Sequence, residues 1–158
     1  MRKELFFGVL GCLVLGAVAG QAAEKWDKNS YTDKAIRSGY YDASSIKSKA
    51  GVVSWTERYV LTPEGIEYVN AELSKYPVCK EKIAKDGKVV EYQLDYEVKN
   101  NKQYRGTAKR YYNKANKVVC TDKETGTDFN TGWRTIERYS PIQQAQYDLV
   151  TKYKVKFQ

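Results

Sequence analysis

The stretch from Val90 to Val98 constrains the fold more than any other part of this chain. Val90, Tyr92, Leu94, Tyr96 and Val98 alternate with Glu91, Gln93, Asp95 and Glu97. An apolar period of two over nine residues is the pattern of a strand with one face on a core and one in water, which belongs to antiparallel sheets. Val52 to Leu61 repeats it after a glycine. Val53, Trp55, Tyr59 and Leu61 fall on one side, Ser54, Thr56 and Arg58 on the other, with Glu57 intruding on the apolar side.

Neighbouring segments extend the sheet. Ser38 to Asp42 is expected as a short strand ended by an Asp/Ser turn over Asp42 to Ser45. Gln103 to Asn113 alternates Tyr104, Gly106, Ala108, Arg110 and Tyr112, and Lys114-Ala115-Asn116 turns it into Lys117 to Thr121. Residues 122–132 read as a loop, and Trp133 to Arg138 as a last central strand. Two helix starts are written plainly. Thr62-Pro63-Glu64 supplies an N-cap, a first-turn proline and an acid, followed by the stripe Ile66, Val69, Asn70, Leu73 up to Tyr76-Pro77. Ser140-Pro141-Ile142-Gln143 is a capping box, followed by Ile142, Ala145, Leu149, Val150 and Tyr153 on one stripe. The expected fold is α+β: an antiparallel sheet of about six strands, a short helix after the first long strand, and a C-terminal helix on one face.

The first residues point to export. Arg2 and Lys3 precede an apolar run from Leu5 to Ala19, and small residues close the segment before Glu24. A helix of that run would be about 22 Å long, short of a ~30 Å hydrocarbon core. Residues 1–22 are therefore expected as a signal peptide cleaved after Ala22, residues 23–38 as an N-terminal tether and 39–158 as a single domain with no membrane span. Val9-Leu10-Gly11-Cys12 resembles a lipobox, but Leu13 to Ala17 behind it is still apolar. Cys12 is expected to leave with the signal, the alternative being an outer-membrane lipoprotein. The destination is the periplasm or cell surface.

Export gives the other two cysteines a reading. Cys79 and Cys120, an even pair in an oxidising compartment, are expected as a disulfide, with two free thiols as the alternative. No Cys/His spacing suits zinc, and no cofactor or metal is expected. The chain has no histidine, which removes the usual neutral-pH base and every Ser-His or Cys-His pair. No catalytic residue is assigned. Glu91, Asp95 and Glu97 form a row on one strand face, where side chains two residues apart stand about 6.5–7 Å from each other, a spacing open to a carboxylate hydrolase. The plainer reading is a solvated face opposite Lys99, Arg105 and Lys109.

The chain carries a formal charge of +8 and 14 tyrosines. Basic residues alternating with tyrosine would suit single-stranded nucleic acid, but export argues against that partner; an acidic glycan, anionic headgroups or an acidic protein segment fit better. The candidate binding residues are Tyr104, Arg105, Lys109 and Tyr111, with Lys152, Lys154 and Lys156 of the tail. A homodimer stays open. Trp55 and Trp133 are expected in or beside the core. A rival reading places an apolar ligand pocket among Tyr92, Leu94, Tyr96 and Trp55.

Taken in order, several short motifs resemble the surface-adhesin protein E-like family of bacterial envelopes. They are Tyr40-Tyr41-Asp42-Ala43-Ser44-Ser45-Ile46-Lys47, Val53 to Tyr59 around Trp55, Arg110-Tyr111-Tyr112-Asn113 with Lys117-Val118-Val119, and Trp133-Arg134-Thr135-Ile136 with Ser140 and Tyr147. The resemblance covers about residues 26–150. It implies a six-stranded sheet carrying a C-terminal helix, and an envelope-exposed protein that binds a host matrix or serum protein or an envelope component. The C-terminal helix here has no cysteine, unlike that of many members. Envelope assembly is a further alternative.

Overall fold

The computed structural model describes residues 26–29, 34–127, 129 and 132–157; the expected signal peptide and Cys12 lie outside them. One antiparallel sheet carries four helices. The strands are β1 (Trp26–Lys28), β2 (Arg37–Asp42), β3 (Lys47–Lys49), β4 (Val52–Leu61), β5 (Val89–Lys99), β6 (Gln103–Asn113), β7 (Val118–Thr121) and β8 (Arg134–Thr135). The helices are α1 (Pro63–Leu73), α2 (Pro77–Asp86), α3 (Asp122–Thr125) and α4 (Pro141–Tyr153). The main strand order is β1-β2-β4-β5-β6-β7; β3 joins the free stretch of β4, and β8 that of β6. The α+β architecture expected above is the one observed.

Local chemistry sets the corners. Asp42 Oδ1 accepts from the Ser44 backbone at 2.9 Å and caps a 3-10 turn, Ala43–Ser45. Ala50 and Gly51 both take positive φ, the condition for a two-residue hairpin turn from β3 into β4. Asn100 and Asn101 do so between β5 and β6, where asparagine tolerates the left-handed region best after glycine. Thr62 and Ser140 cap α1 and α4 by accepting from Gly65 and Gln143 at 3.1 and 3.2 Å. The Gln143 side chain returns its bond to Tyr139 rather than to Ser140, so the box is only half closed.

All four helices lie on the face that carries Val53, Trp55, Tyr59 and Leu61. Tyr59, Leu61, Tyr92, Leu94 and Tyr111 form one core with α1 and α2, through Leu73 and Cys79. Tyr41, Val53, Trp55 and Val98 form the second with Ile142, Ala145 and Leu149 of α4. Between the two cores Glu57 is fully buried, taking hydrogen bonds from Trp55 Nε1 at 2.9 Å and from the Tyr59 hydroxyl. The α4 helix is tied down at its edges: Tyr41 donates to Asp148 at 3.0 Å, Tyr153 to Asp27 at 2.6 Å, and Gln146 to Asn101 at 2.8 Å. The Cys79–Cys120 disulfide is present and joins α2 to β7, with Cα atoms 5.4 Å apart.

Several expectations are corrected. Residues 26–28, expected within a tether, pair with β2 from Trp26↔Asp42 to Lys28↔Tyr40 and form the sheet edge. Trp26 is half-buried there, its ring 5.3 Å from the Arg58 guanidinium carbon. Helix α2 was not expected; its one buried residue is Cys79, too little for a legible stripe. A register shift between Val89 and Glu91 puts Val89, not Val90, in the core. A second shift, opposite Asp95 and Tyr96, breaks the alternation of β6. Tyr104 and Gly106 share the helix-bearing face with Lys109 and Tyr111, while Arg110 and Tyr112 turn to the open face. Residues 122–125 are helical rather than loop. The last strand is a two-residue bridge to Gln103–Tyr104 at the periphery, not a central strand. On α4, Val150 is exposed, and Gln146 and Asp148 take buried positions.

Candidate functional site

The two helical layers do not meet over the middle of the sheet. They leave a cleft of about 670 Å³, floored by β5 and β6 and walled by α1, by Asp122, Thr125, Thr127, Phe129 and Arg134, and by the start of α4. Its lining is rich in aromatic rings: Tyr92, Tyr96, Tyr104 and Tyr111 from the sheet, Tyr68 of α1, Tyr76 after it, and Phe129. Gly106 makes room for Phe129. A Cβ at position 106 would stand 2.2 Å from Phe129 Cε1, so only glycine lets that ring lie against the strand and edge-on to Tyr96.

Two cations enter this aromatic space. Arg37, at the start of β2 and opposite Leu61, reaches over Tyr59 and Tyr92, 4.7 and 5.7 Å from the ring centres, and donates to the Tyr92 hydroxyl. Lys109, opposite Leu94 on β6, holds its Nζ 5.0 Å from the centre of Tyr92 and 4.8 Å from that of Tyr111. Tyr59 and Tyr92 stack at 5.0 Å and Tyr92 and Tyr111 lie 5.8 Å apart, so the three rings form one platform under both charges.

The electrostatics of the cleft follow from the burial of its side chains. Burial, then the positive charge of Arg37, pull the Lys109 ammonium down from 10.5 to about 8; Asp122 works the other way. Asp122 accepts the Lys109 backbone N–H at 3.2 Å. Burial pushes the Tyr111 hydroxyl up to about 12. Tyr96 is pushed well above the ordinary tyrosine value, by burial first and the Glu57 charge second, so both hydroxyls stay protonated. Among the described residues neither Arg37 nor Lys109 forms an ion pair, and Glu72, an acid on the rim, is taken by Lys75 at 2.6 Å.

The opposite, open face of the sheet differs. There Arg58 pairs with Glu91, Arg105 with Glu97 at 2.7 Å, and Arg110 with both oxygens of Asp95 at 2.6 and 2.8 Å. The hydrogen bond to Asp95 holds Arg110 above its usual pKa. Each carboxylate of the Glu91, Asp95, Glu97 row is thus engaged by an arginine across a strand boundary. Trp133, expected in or beside the core, lies half-buried on this face between Lys99 Nζ at 4.4 Å and the Arg105 guanidinium at 4.6 Å.

The seven candidate binding residues therefore occupy three places. Tyr104, Lys109 and Tyr111 line the cleft; Arg105 lies on the open face. Lys152 ends α4 and donates to the Lys28 carbonyl at 3.0 Å beside β1, with Lys154 and Lys156 following it. Of the expected apolar pocket, Tyr92 and Tyr96 line the cleft, whereas Leu94 and Trp55 lie in the cores. Arg37 was missed, although Arg37, Gly39 and Tyr41 keep a period of two along β2. Among the described residues the one group with metal-ligand chemistry is Cys79, Cys120 and Glu124. Its sulfurs are bonded to each other, and Glu124 is held by Lys82 and by the Thr121 backbone. Comparison with protein families, curated proteins and solved structures finds no match.

Proposed function

We propose that this chain is an exported, non-enzymatic binding protein of the bacterial cell envelope that takes a small ligand in the Tyr/Lys cleft. The observation that carries the reading is the cleft itself, with two cations held over one tyrosine platform and no carboxylate pairing either among the described residues. Its volume lies in the ~300–1,000 Å³ range of small-molecule sites, and its aromatic walls with a few convergent polar groups have the composition of such sites. The leader-like N-terminus, the disulfide and the resemblance to surface-adhesin protein E-like proteins support the compartment. Docking of a macromolecule on a single Tyr/Lys face has less support, because the residues expected to form that face are divided among the cleft, the open face and the end of α4.

Native mass spectrometry of the protein exported by its own cells tests the reading. The expected result is a small-molecule adduct that is lost when Tyr104 and Lys109 are replaced together. A bare mass, combined with no uptake of an apolar dye such as Nile red, would remove the proposal.

A further inference from the structure

The cleft's cations differ from the half-buried arginines of the open face, and the difference points to a ligand. On the open face Arg58, Arg105 and Arg110 each hold a carboxylate. In the cleft Arg37 and Lys109, half-buried like those arginines, hold none among the described residues and share the Tyr92 ring, although a charge withdrawn from water without a partner is costly. Cation–ring contacts of this kind return only about 0.5–2 kcal/mol each, less than the desolvation of two like charges. A chain that only needed to fill this space would do so with apolar side chains. We infer that the cleft binds an aromatic anion, a planar ring system bearing one carboxylate or phosphate, with its head between Arg37 and Lys109 and its ring against the tyrosines and Phe129.

The inference rests on the cleft being the binding site and adds the ligand class. The anion supplies a counter-charge that Arg37 and Lys109 do not receive from the described residues, through charge-assisted hydrogen bonds. Asp122 sets a limit on where the head lies: its carboxylate is buried beside the Lys109 backbone, so a head reaching past Lys109 toward that side would be repelled. The planar body follows from the walls. Tyr96, Tyr104 and Phe129 are only half-buried along the cleft, and Phe129 stands edge-on to Tyr96, an arrangement that receives a ring by stacking or by its edge.

Titration calorimetry with four probes tests this: 2-naphthoate, 2-naphthyl phosphate, the neutral 2-naphthalenemethanol and the flexible anion decanoate. One or both aromatic anions are expected to bind at least about tenfold more tightly than the alcohol and than decanoate, the scale of one charged hydrogen bond. Comparing the first two probes tells a carboxylate from a phosphate ligand. Lys109→Met and Arg37→Met should each weaken the aromatic anions by about tenfold or more and leave the alcohol within about twofold, while Lys109→Arg keeps most of the affinity. Thermal melting shows that each variant is folded. Equal binding of the alcohol or of decanoate, or an undiminished affinity in Lys109→Met, would overturn the inference. Nile red separates the two levels. If it binds and the anions do not, the cleft remains the binding site and the anion inference falls; if neither binds, both fall.

Discussion

Replacing Lys109 by methionine should make this protein more stable at neutral pH, and by an amount that depends on pH in a defined way. The side chain lies among Tyr92, Tyr111, Arg37 and Asp122 and titrates at about 8 in the folded chain, against 10.5 in the unfolded one. At about 1.36 kcal/mol per decade, keeping the proton costs the folded state about 3 kcal/mol. Contacts with the two rings return about 1 kcal/mol, so methionine, of similar shape, should gain about 2 kcal/mol. Below pH 8 both states hold the proton and the whole cost is present. Between pH 8 and 10.5 the folded state alone sheds it, so the wild type gains stability and the advantage of Lys109→Met fades, disappearing near pH 10.5. Urea unfolding of both proteins at pH 7 and at about pH 10.5 reads this directly. A variant that is less stable at pH 7, or a difference that is the same at both values, would refute the electrostatic reasoning. A gain in stability joined to a loss of ligand affinity marks a residue kept for function.

Three further outcomes follow from the packing. Reducing the Cys79–Cys120 bond, which closes a loop of sequence separation 41, should lower stability by about 4 kcal/mol, seen as a lower urea midpoint with reductant. Asn70→Ala should cost about 2–4 kcal/mol by thermal melting, because the Asn70 amide donates to the Val89 carbonyl at 2.8 Å and accepts from its N–H at 2.9 Å, and the variant strands both buried groups. Gly106→Ala should cost about 1–3 kcal/mol and weaken the aromatic probes, since the new methyl displaces Phe129 from the cleft wall; unchanged probe binding would show that Phe129 does not wall the site.

Much of the fold was legible because its strongest signals are local. The alternation in β4 and β5, and the capped starts at Thr62-Pro63 and Ser140-Pro141, depend on neighbours in sequence and appear as expected. What stayed hidden depends on packing between distant segments. Helix α2 buries only Cys79 and is held by the disulfide and by its contacts with β7, so no stripe announces it. The register shift opposite Asp95 and Tyr96 is invisible in the β6 sequence, yet it turns Lys109 and Tyr111 to the helix-bearing face and Arg110 away. The site was therefore half legible. Tyr104, Lys109 and Tyr111 stood out by residue type, but their separation from Arg105 and their meeting with Arg37 depend on that shift and on the β2–β4 pairing.

The titration of Lys109 by NMR, with lysine labelled at Cε and the signal assigned through Lys109→Arg, tests the central claim most directly. In the free protein the ammonium is expected to titrate near 8, below the ordinary 10.5. With saturating 2-naphthoate, an anion held between Lys109 and Arg37 should raise that value by about one pH unit or more, because a neighbouring negative charge favours the protonated form. A midpoint that stays in place when the probe is bound would contradict the account.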